Sequence, residues 1–303
     1  MIWKKRTEGT GVKAKDLVEE YLVFGHGACP GCAMPVMTRH ILSALGQDTV
    51  AVITASCLGT ILCTYPFSPI RITTYATPFA SAAAAASGIK AALDMRGDFR
   101  TNVVAIAGDG GTFDIGIQAL SAAAERNDDF IYLCYDNEAY MNTGIQRSSA
   151  TPWGAWTTTT PPESLKSQPK KDILEIMAAH RVPYAATASI AYPEDFARKM
   201  KKAKDTRGFK FIYVLSPCPV GWRFSSENTI RLARLAVQSR FFPLYEVENG
   251  DRYVLSLEPE GVPVDEYLEL QGRFSFLREG DMERIQENVD REWDRLMKRM
   301  EMG

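Results

Sequence analysis

Five short apolar runs punctuate the sequence: "TVAVITAS" (49–56), "NVVAIAG" (102–108), "DFIYLCYD" (129–136), "VPYAATAS" (182–189) and "KFIYVLSP" (210–217). Runs this short and this unbroken read as strands buried on both faces. Helical stretches lie between them, at Pro35–Leu45, at 79–93 with its many alanines, from Asp114 to Arg126, near 172–180 and at 193–204. The alternation predicts an α/β fold: a mostly parallel sheet with helices on both faces. Ligands of such sheets gather at the carboxyl ends of the strands, so the residues just after each run carry the interest.

The 303 residues are long enough for one large core, and we expect a single domain over 1–303. It carries an N-terminal arm (1–24), amphipathic near "AKDLVEEYLVF", and a C-terminal extension from about 245. The extension ends in "DMERIQENVDREWDRLMKRM", which reads as an exposed charged helix, either a solvated face or a subunit contact. Residues 143–171, rich in Thr, Pro, Ser and Lys, exceed the usual length of a connection and read as an ordered functional loop. A net charge of −2 argues against nucleic acid as a partner. No stretch reaches the roughly 20 apolar residues that span a bilayer. "MIWKKRTEGTG" lacks the apolar core of a signal peptide. A cytoplasmic location is therefore expected, in which six cysteines point to metal, catalysis or packing before disulfides.

Two strand ends stand out. "NVVAIAG" runs into "DGG", placing Asp109 between Gly108, Gly110 and Gly111; "DFIYLCYD" runs into Asn137, 28 positions later. Glycines let backbone N–H groups approach a diphosphate, and the helix that follows adds the positive end of its dipole. Asp109 and Asn137 each offer a hard oxygen, and Mg²⁺ favours a few protein oxygens plus substrate phosphates. The pairing predicts a Mg²⁺–diphosphate site and resembles the thiamine-diphosphate motif. That resemblance implies a third ligand, the backbone carbonyl of Ala139.

The cysteines divide into two groups. Cys63 and Cys134 sit in apolar surroundings and read as small core residues. Cys29 and Cys32 form a C-x₂-C pair in "GHGACPGC", while Cys57 and Cys218 stand at strand ends. Four thiolates suit zinc or a [4Fe–4S] cluster, and spacing separates these poorly. One pair joined to two isolated cysteines favours a cluster inside an enzyme core.

Taken together, "GHGACPGC", "CLGT", "AGDGGTFDIGIQALSAAAER", "CYDNEAYMNTGIQRSSATPWGAWTTTTP" and "SPCPVGW" resemble the β subunit of 2-oxoacid:ferredoxin oxidoreductases, most of all the pyruvate synthase type, over about residues 20–275. The resemblance implies a thiamine-diphosphate-binding fold and a [4Fe–4S] cluster on Cys29, Cys32, Cys57 and Cys218. It implies Mg²⁺ on Asp109, Asn137 and Ala139. It also implies cofactor contacts from Ser56, Gly108, Gly110, Gly111, Asn142 and Thr143, with Asn142 beside the reacting carbon. The implied reaction is oxidative decarboxylation of a 2-oxoacid, pyruvate first, to acyl-CoA and CO₂ with reduction of ferredoxin, or its reverse. Branched-chain and aryl 2-oxoacids and oxalate are alternatives. Where the family often reads "TGCLE", this chain has "ASCLGT", so Ser56 and Gly59 reshape the local pocket.

No Glu in a recognisable motif activates the aminopyrimidine ring, and no ferredoxin-type cysteine run is present. The resemblance assigns these to partners: an α-type subunit supplying that Glu and most of the substrate pocket, and a ferredoxin-like subunit or domain, with external ferredoxin and coenzyme A. Arg147 could face the diphosphate, coenzyme A or a subunit boundary, and His26 could tune the cluster. His40 and His180 read as structural. Two rival readings are a non-redox thiamine decarboxylase or carboligase, and a zinc-stabilised scaffold without catalysis.

Overall fold

The computed structural model describes residues 21–23 and 25–302, so most of the expected N-terminal amphipathic piece lies outside the described residues. Helix α1 (Ala33–Leu45) leads into β1 (Thr49–Thr54), and α2 (Cys57–Cys63) into the edge strand β2 (Thr73–Thr77). Helix α3 (Ala82–Met95) precedes β3 (Asn102–Gly108), and α4 (Ile117–Glu125) precedes β4 (Ile131–Asp136). Then come α5 (Ile173–Ala179), β5 (Tyr184–Ser189), α6 (Pro193–Asp205), β6 (Lys210–Leu215), the single turn α7 (Pro219–Trp222) and α8 (Thr229–Gln238). The chain finishes with β7 (Tyr245–Glu248), β8 (Arg252–Leu255), the short α9 (Asp265–Leu268) and α10 (Asp281–Met302).

Eight strands form one sheet in the order β2-β1-β3-β4-β6-β5-β7-β8. The first six run parallel, and β7 and β8 add an antiparallel edge. Alternate residues of each strand serve opposite faces. Val103, Ala105, Tyr132 and Phe211 pack with α3, α4, α5 and α8, whereas Val104, Ile106, Leu133 and Ile212 pack with α1, α2 and α6. Both faces are covered, which is why the strands read as unbroken apolar runs. Among the described residues no helix is long and apolar enough to cross a membrane.

Two expectations need correction. The tail helix is not a solvated rod. Ile285, Val289, Trp293 and Leu296 repeat at helical spacing on one side of α10 and are buried in the same core as the sheet. And the glycine turn does not open directly into an α-helix: residues Gly110–Ile115 form a π-helical turn before α4 begins at Ile117. Gly116 belongs to that wide turn, since a Cβ there would meet the Gly111 carbonyl oxygen at 2.2 Å. Single π turns of this kind recur at functional sites.

The order β1-β3-β4-β6 matters most for function. These four parallel neighbours end side by side, and their carboxyl ends deliver Cys57, Asp109, Asn137 and Cys218 to one rim of the sheet.

Candidate active site

Asp109 follows the last residue of β3 and is 1 % exposed. In β4, Tyr135 pairs with Gly108, so Asn137 emerges beside it on the adjacent strand. The Asn137 amide oxygen stands 3.0 Å from Asp109 Oδ1 and 2.9 Å from the Ala139 carbonyl oxygen. As placed, this end of the amide faces two acceptors. Turning the amide over would convert both contacts into N–H donations. A cation in their midst would satisfy all three as they stand, and ligands about 2.0–2.1 Å from Mg²⁺ at right angles are about 3 Å apart. The charge balance points the same way: burial, then the charge of Asp136, holds the Asp109 carboxyl well above the usual carboxylate range. A divalent cation would offset both.

Packing also calls for glycine at two positions of this turn. A Cβ on Gly110 would lie 2.5 Å from the Tyr140 ring, and one on Gly108 would lie 3.1 Å from the Tyr135 hydroxyl. Tyr140 in turn donates to Asp114 Oδ2 at 2.9 Å, so the ring filling the glycine's space is anchored to the π turn.

Behind the three oxygens lies a buried lattice of charge. Glu138, between Asn137 and Ala139, has φ +64°, a left-handed conformation that costs a non-glycine residue about 1–3 kcal/mol. Its N–H donates to Asp136 Oδ1 (2.9 Å), and its carbonyl accepts from Thr151 Oγ1 (2.7 Å). Its carboxylate meets Lys170 Nζ at 2.7 Å and forms an ion pair with Arg273 Nη2 at 2.6 Å. Lys170 Nζ and Tyr213 Oη both donate to Asp136 Oδ2. Burial opposes ionisation of Glu138, but Lys170 and Arg273 outweigh it and its carboxyl falls below the ordinary range. Ser148 Oγ donates to Asp109 Oδ2 at 2.6 Å, and Ser148 N donates to Thr151 Oγ1 at 3.0 Å.

The four predicted cysteine ligands share one neighbourhood. Burial pushes the Cys57 thiol up to about 12, helped by the charges of Cys218, Cys32 and Cys29. The Cys32 thiol rises to about 11, by burial and then by Cys218 and Cys29. Cys218 is raised by burial, against N–H donations from Gly221 and Val220. Such thiols stay protonated until a metal draws off the protons. Among the described residues no three His, Cys, Asp or Glu side chains converge on a point as they would around one ion. Cys134 is buried and Cys63 half-buried, and neither belongs to this group.

Comparison with known proteins decides the lineage. The family model described as "Thiamine pyrophosphate enzyme, C-terminal TPP binding domain" matches residues 55–214. The ketoisovalerate oxidoreductase subunit VorB of Pyrococcus furiosus is 48 % identical over 94 % of this chain and 94 % of its own length. The pyruvate synthase subunit PorB of Methanocaldococcus jannaschii is 50 % identical over 90 % of this chain and 95 % of its own. The chain belongs to the 2-oxoacid:ferredoxin oxidoreductases. It is a thiamine-fold subunit of the VorB and PorB kind and works with partner subunits. The fold agrees: a chain of the 2-oxoglutarate:ferredoxin oxidoreductase from Magnetococcus marinus superposes with a TM-score of 0.58 over 75 % of this chain and 82 % of that one, at 23 % identity.

Within this oxidoreductase subunit the remaining candidates sit at the rim. Asn142 and Thr143 are exposed; Thr60 Oγ1 lies 3.5 Å from Asn142 Oδ1, and Thr143 Oγ1 donates to Gln146 Oε1 at 2.6 Å. The Ser56 hydroxyl caps α2, accepting from Gly59 N at 3.1 Å and donating to the Thr54 carbonyl at 2.8 Å. That cap explains Gly59, because a Cβ there would meet the Thr54 carbonyl oxygen at 2.7 Å. Gly111 faces Phe79, whose carbonyl oxygen would lie 3.4 Å from an added Cβ. Arg147 is exposed, and His26 is half-buried with Nδ1 unpartnered. Sequence reasoning missed Ser148, Thr151, Lys170 and Arg273. Three of the four lie in, or at the end of, the loop already singled out by its length.

Proposed function

We propose that this subunit holds thiamine diphosphate through Mg²⁺ on Asp109, Asn137 and Ala139, and a [4Fe–4S] cluster on Cys29, Cys32, Cys57 and Cys218. The substrate is an aliphatic 2-oxoacid, with coenzyme A as acyl acceptor and ferredoxin as electron acceptor. The observation that carries this reading is the Asn137 amide, within 2.9–3.0 Å of both Asp109 Oδ1 and the Ala139 carbonyl oxygen, at the carboxyl ends of β3 and β4. The mutual influence of the four thiols at the ends of β1 and β6 and in the segment before α1 supports the cluster. Bound thiamine diphosphate supplies an electron sink for the carbon that loses CO₂, and the protein's part is orientation and electrostatics.

The residues of this chain do three things in that scheme. Asp109 and Asn137 orient the metal and through it the diphosphate. The half-buried Cys32, Cys57 and Cys218, with the exposed Cys29, would hold an electron acceptor close to the same rim. Asn142 and Thr143 line the exposed mouth, where a partner subunit brings the Glu that activates the aminopyrimidine and closes the substrate pocket. Pyruvate and ketoisovalerate are the two substrates to compare, since relatives named for each resemble this chain about equally.

The test is anaerobic isolation of the native complex, with thiamine diphosphate, magnesium and iron counted per chain. Turnover is then measured on a panel of 2-oxoacids with and without coenzyme A. Asp109→Asn should lose cofactor-dependent turnover while iron content persists. A native complex that carries no thiamine diphosphate would sink the reading. Turnover confined to oxalate without coenzyme A would sink the substrate assignment.

A further inference from the structure

The turn that presents two of the three oxygens is held by residues that touch none of them. Glu138 separates Asn137 from Ala139 and is in the left-handed region, with φ +64°. No glycine relieves that conformation, so the surroundings must impose it. The Glu138 N–H donates to Asp136, its carbonyl accepts from Thr151, and its Oε1 accepts from Lys170, while Oε2 makes an ion pair with Arg273 Nη2 that lacks hydrogen-bond geometry. Lys170 also binds Asp136, so one ammonium ties the residues on either side of Asn137 to each other. Arg273 comes from the C-terminal part of the chain, and its guanidinium carbon lies over the Trp222 ring, 3.9 Å from its centre. A second path runs from Glu138 O to Thr151, from Thr151 to Ser148, and from Ser148 to Asp109. The spacing between Asp109 and the Asn137–Ala139 turn is therefore set from outside, by the long loop and by Arg273.

We propose that Lys170 and Arg273 are positioning residues that clamp Glu138 in its left-handed form, and that Thr151 and Ser148 hold Asp109 in register with that turn, so that the three oxygens are preset for a divalent cation. The proposal rests on the Mg²⁺ reading above and adds residues that the reading does not include. Its logic is that of outer-shell partners of metal ligands, whose loss weakens metal affinity by about 10–100-fold without removing a ligand.

Mn²⁺ is the probe, titrated into the metal-depleted native complex and followed by its electron paramagnetic resonance and by turnover. In Lys170→Met, half-saturation by Mn²⁺ should rise about 10–100-fold, while turnover at saturating Mn²⁺ stays within about threefold of wild type. Lys170→Arg, which keeps the charge and both carboxylate partners, should restore most of the affinity. A purely structural role would lower the amount of active protein, and added metal would not recover it. If Lys170→Met fails to assemble, Thr151→Val answers the same question, since it removes the hydroxyl that donates to Glu138 O and accepts from Ser148 N. Unchanged Mn²⁺ affinity in a folded Lys170→Met or Thr151→Val complex overturns the clamp and leaves the Mg²⁺ reading standing. A wild-type complex that binds no Mn²⁺ overturns both.

Discussion

The indole N–H of Trp222 donates to the carbonyl oxygen of Asn137 at 2.8 Å. Trp222 closes α7, the single turn that begins directly after Cys218, while Asn137 follows β4. One hydrogen bond thus joins a proposed cluster cysteine's turn to a proposed metal ligand's turn. Packing seals the junction: a Cβ on Gly221 would lie 2.2 Å from the Met141 sulfur. We expect the rim of the sheet to respond as one unit, with a displacement at Cys218 reaching Asn137.

Trp222→Phe tests that unit. The ring keeps most of its volume, but the buried Asn137 carbonyl loses its donor, which costs about 1–3 kcal/mol. We expect a lower denaturation midpoint of that size and weaker retention of thiamine diphosphate in the isolated complex. An unchanged midpoint together with full cofactor content would show that the bond couples nothing.

Gly110→Ala tests the packing reading of the glycine motif. The new methyl group would stand 2.5 Å from the Tyr140 ring, so the ring must swing away and release Asp114. Overpacking of this kind costs about 1–3 kcal/mol. Tyr140→Ala in the same chain should return much of that loss. If the double variant is no more stable than Gly110→Ala alone, the glycine is required for something other than Tyr140.

Acid stability follows Glu246 on β7. Its side chain is 4 % exposed and meets Lys202 Nζ and Arg198 Nη1, each at 2.7 Å. Burial resists its ionisation, but the Lys202 hydrogen bond and the charges of Arg198 and Lys202 overcome this and bring the carboxyl down to about 2. A carboxyl depressed in the folded state adds stability that is complete above its unfolded value, about 4.3, and is lost as pH falls through the folded value. Because both cations are about a third exposed, we put the contribution at about 1–3 kcal/mol. Glu246→Gln should be less stable than wild type at pH 6, and the two should converge near pH 2 in an acid-unfolding series. Parallel curves across that range would refute the assignment.

How much of this was legible in the sequence depended on where each residue's partners lie. The five central strands were readable because burial on both faces leaves an unbroken apolar run, and each expected run overlaps an observed strand to within two residues at either end. β2 was not: "TTYAT" lies on the sheet edge, is mostly exposed, and offers no such run. The β7–β8 hairpin had a usable signal that was overlooked. Asn249 and Gly250 between "YEVE" and "RYVL" take φ +54° and +81°, the positive pair that a tight hairpin turn demands. Asp109 and Asn137 announced themselves because each directly follows a strand. Lys170 and Arg273 could not, since nothing local marks a cation whose partner is a buried Glu brought to it only by the fold. The amphipathic stripe of α10 was present in the sequence, but surrounding charge hid it.

That stripe supplies the last test. Trp293 is 9 % exposed, and the Arg240 guanidinium lies 4.9 Å from its ring centre. Around it Ile285, Val289 and Leu296 bury the same face of α10 in the main core. If the helix were a solvated appendage, Trp293→Ala would change stability by less than about 0.5 kcal/mol, as surface substitutions do. Docked as it is, truncation should cost about 3–5 kcal/mol, the range for a buried aromatic side chain. Because α10 packs on the face of the sheet remote from α1, α2 and α6, the loss should appear in global unfolding before it appears in metal affinity. Chemical denaturation of the complex, with Mn²⁺ binding measured at a temperature where the variant is folded, separates the two. A near-neutral midpoint would return α10 to the role of a surface helix.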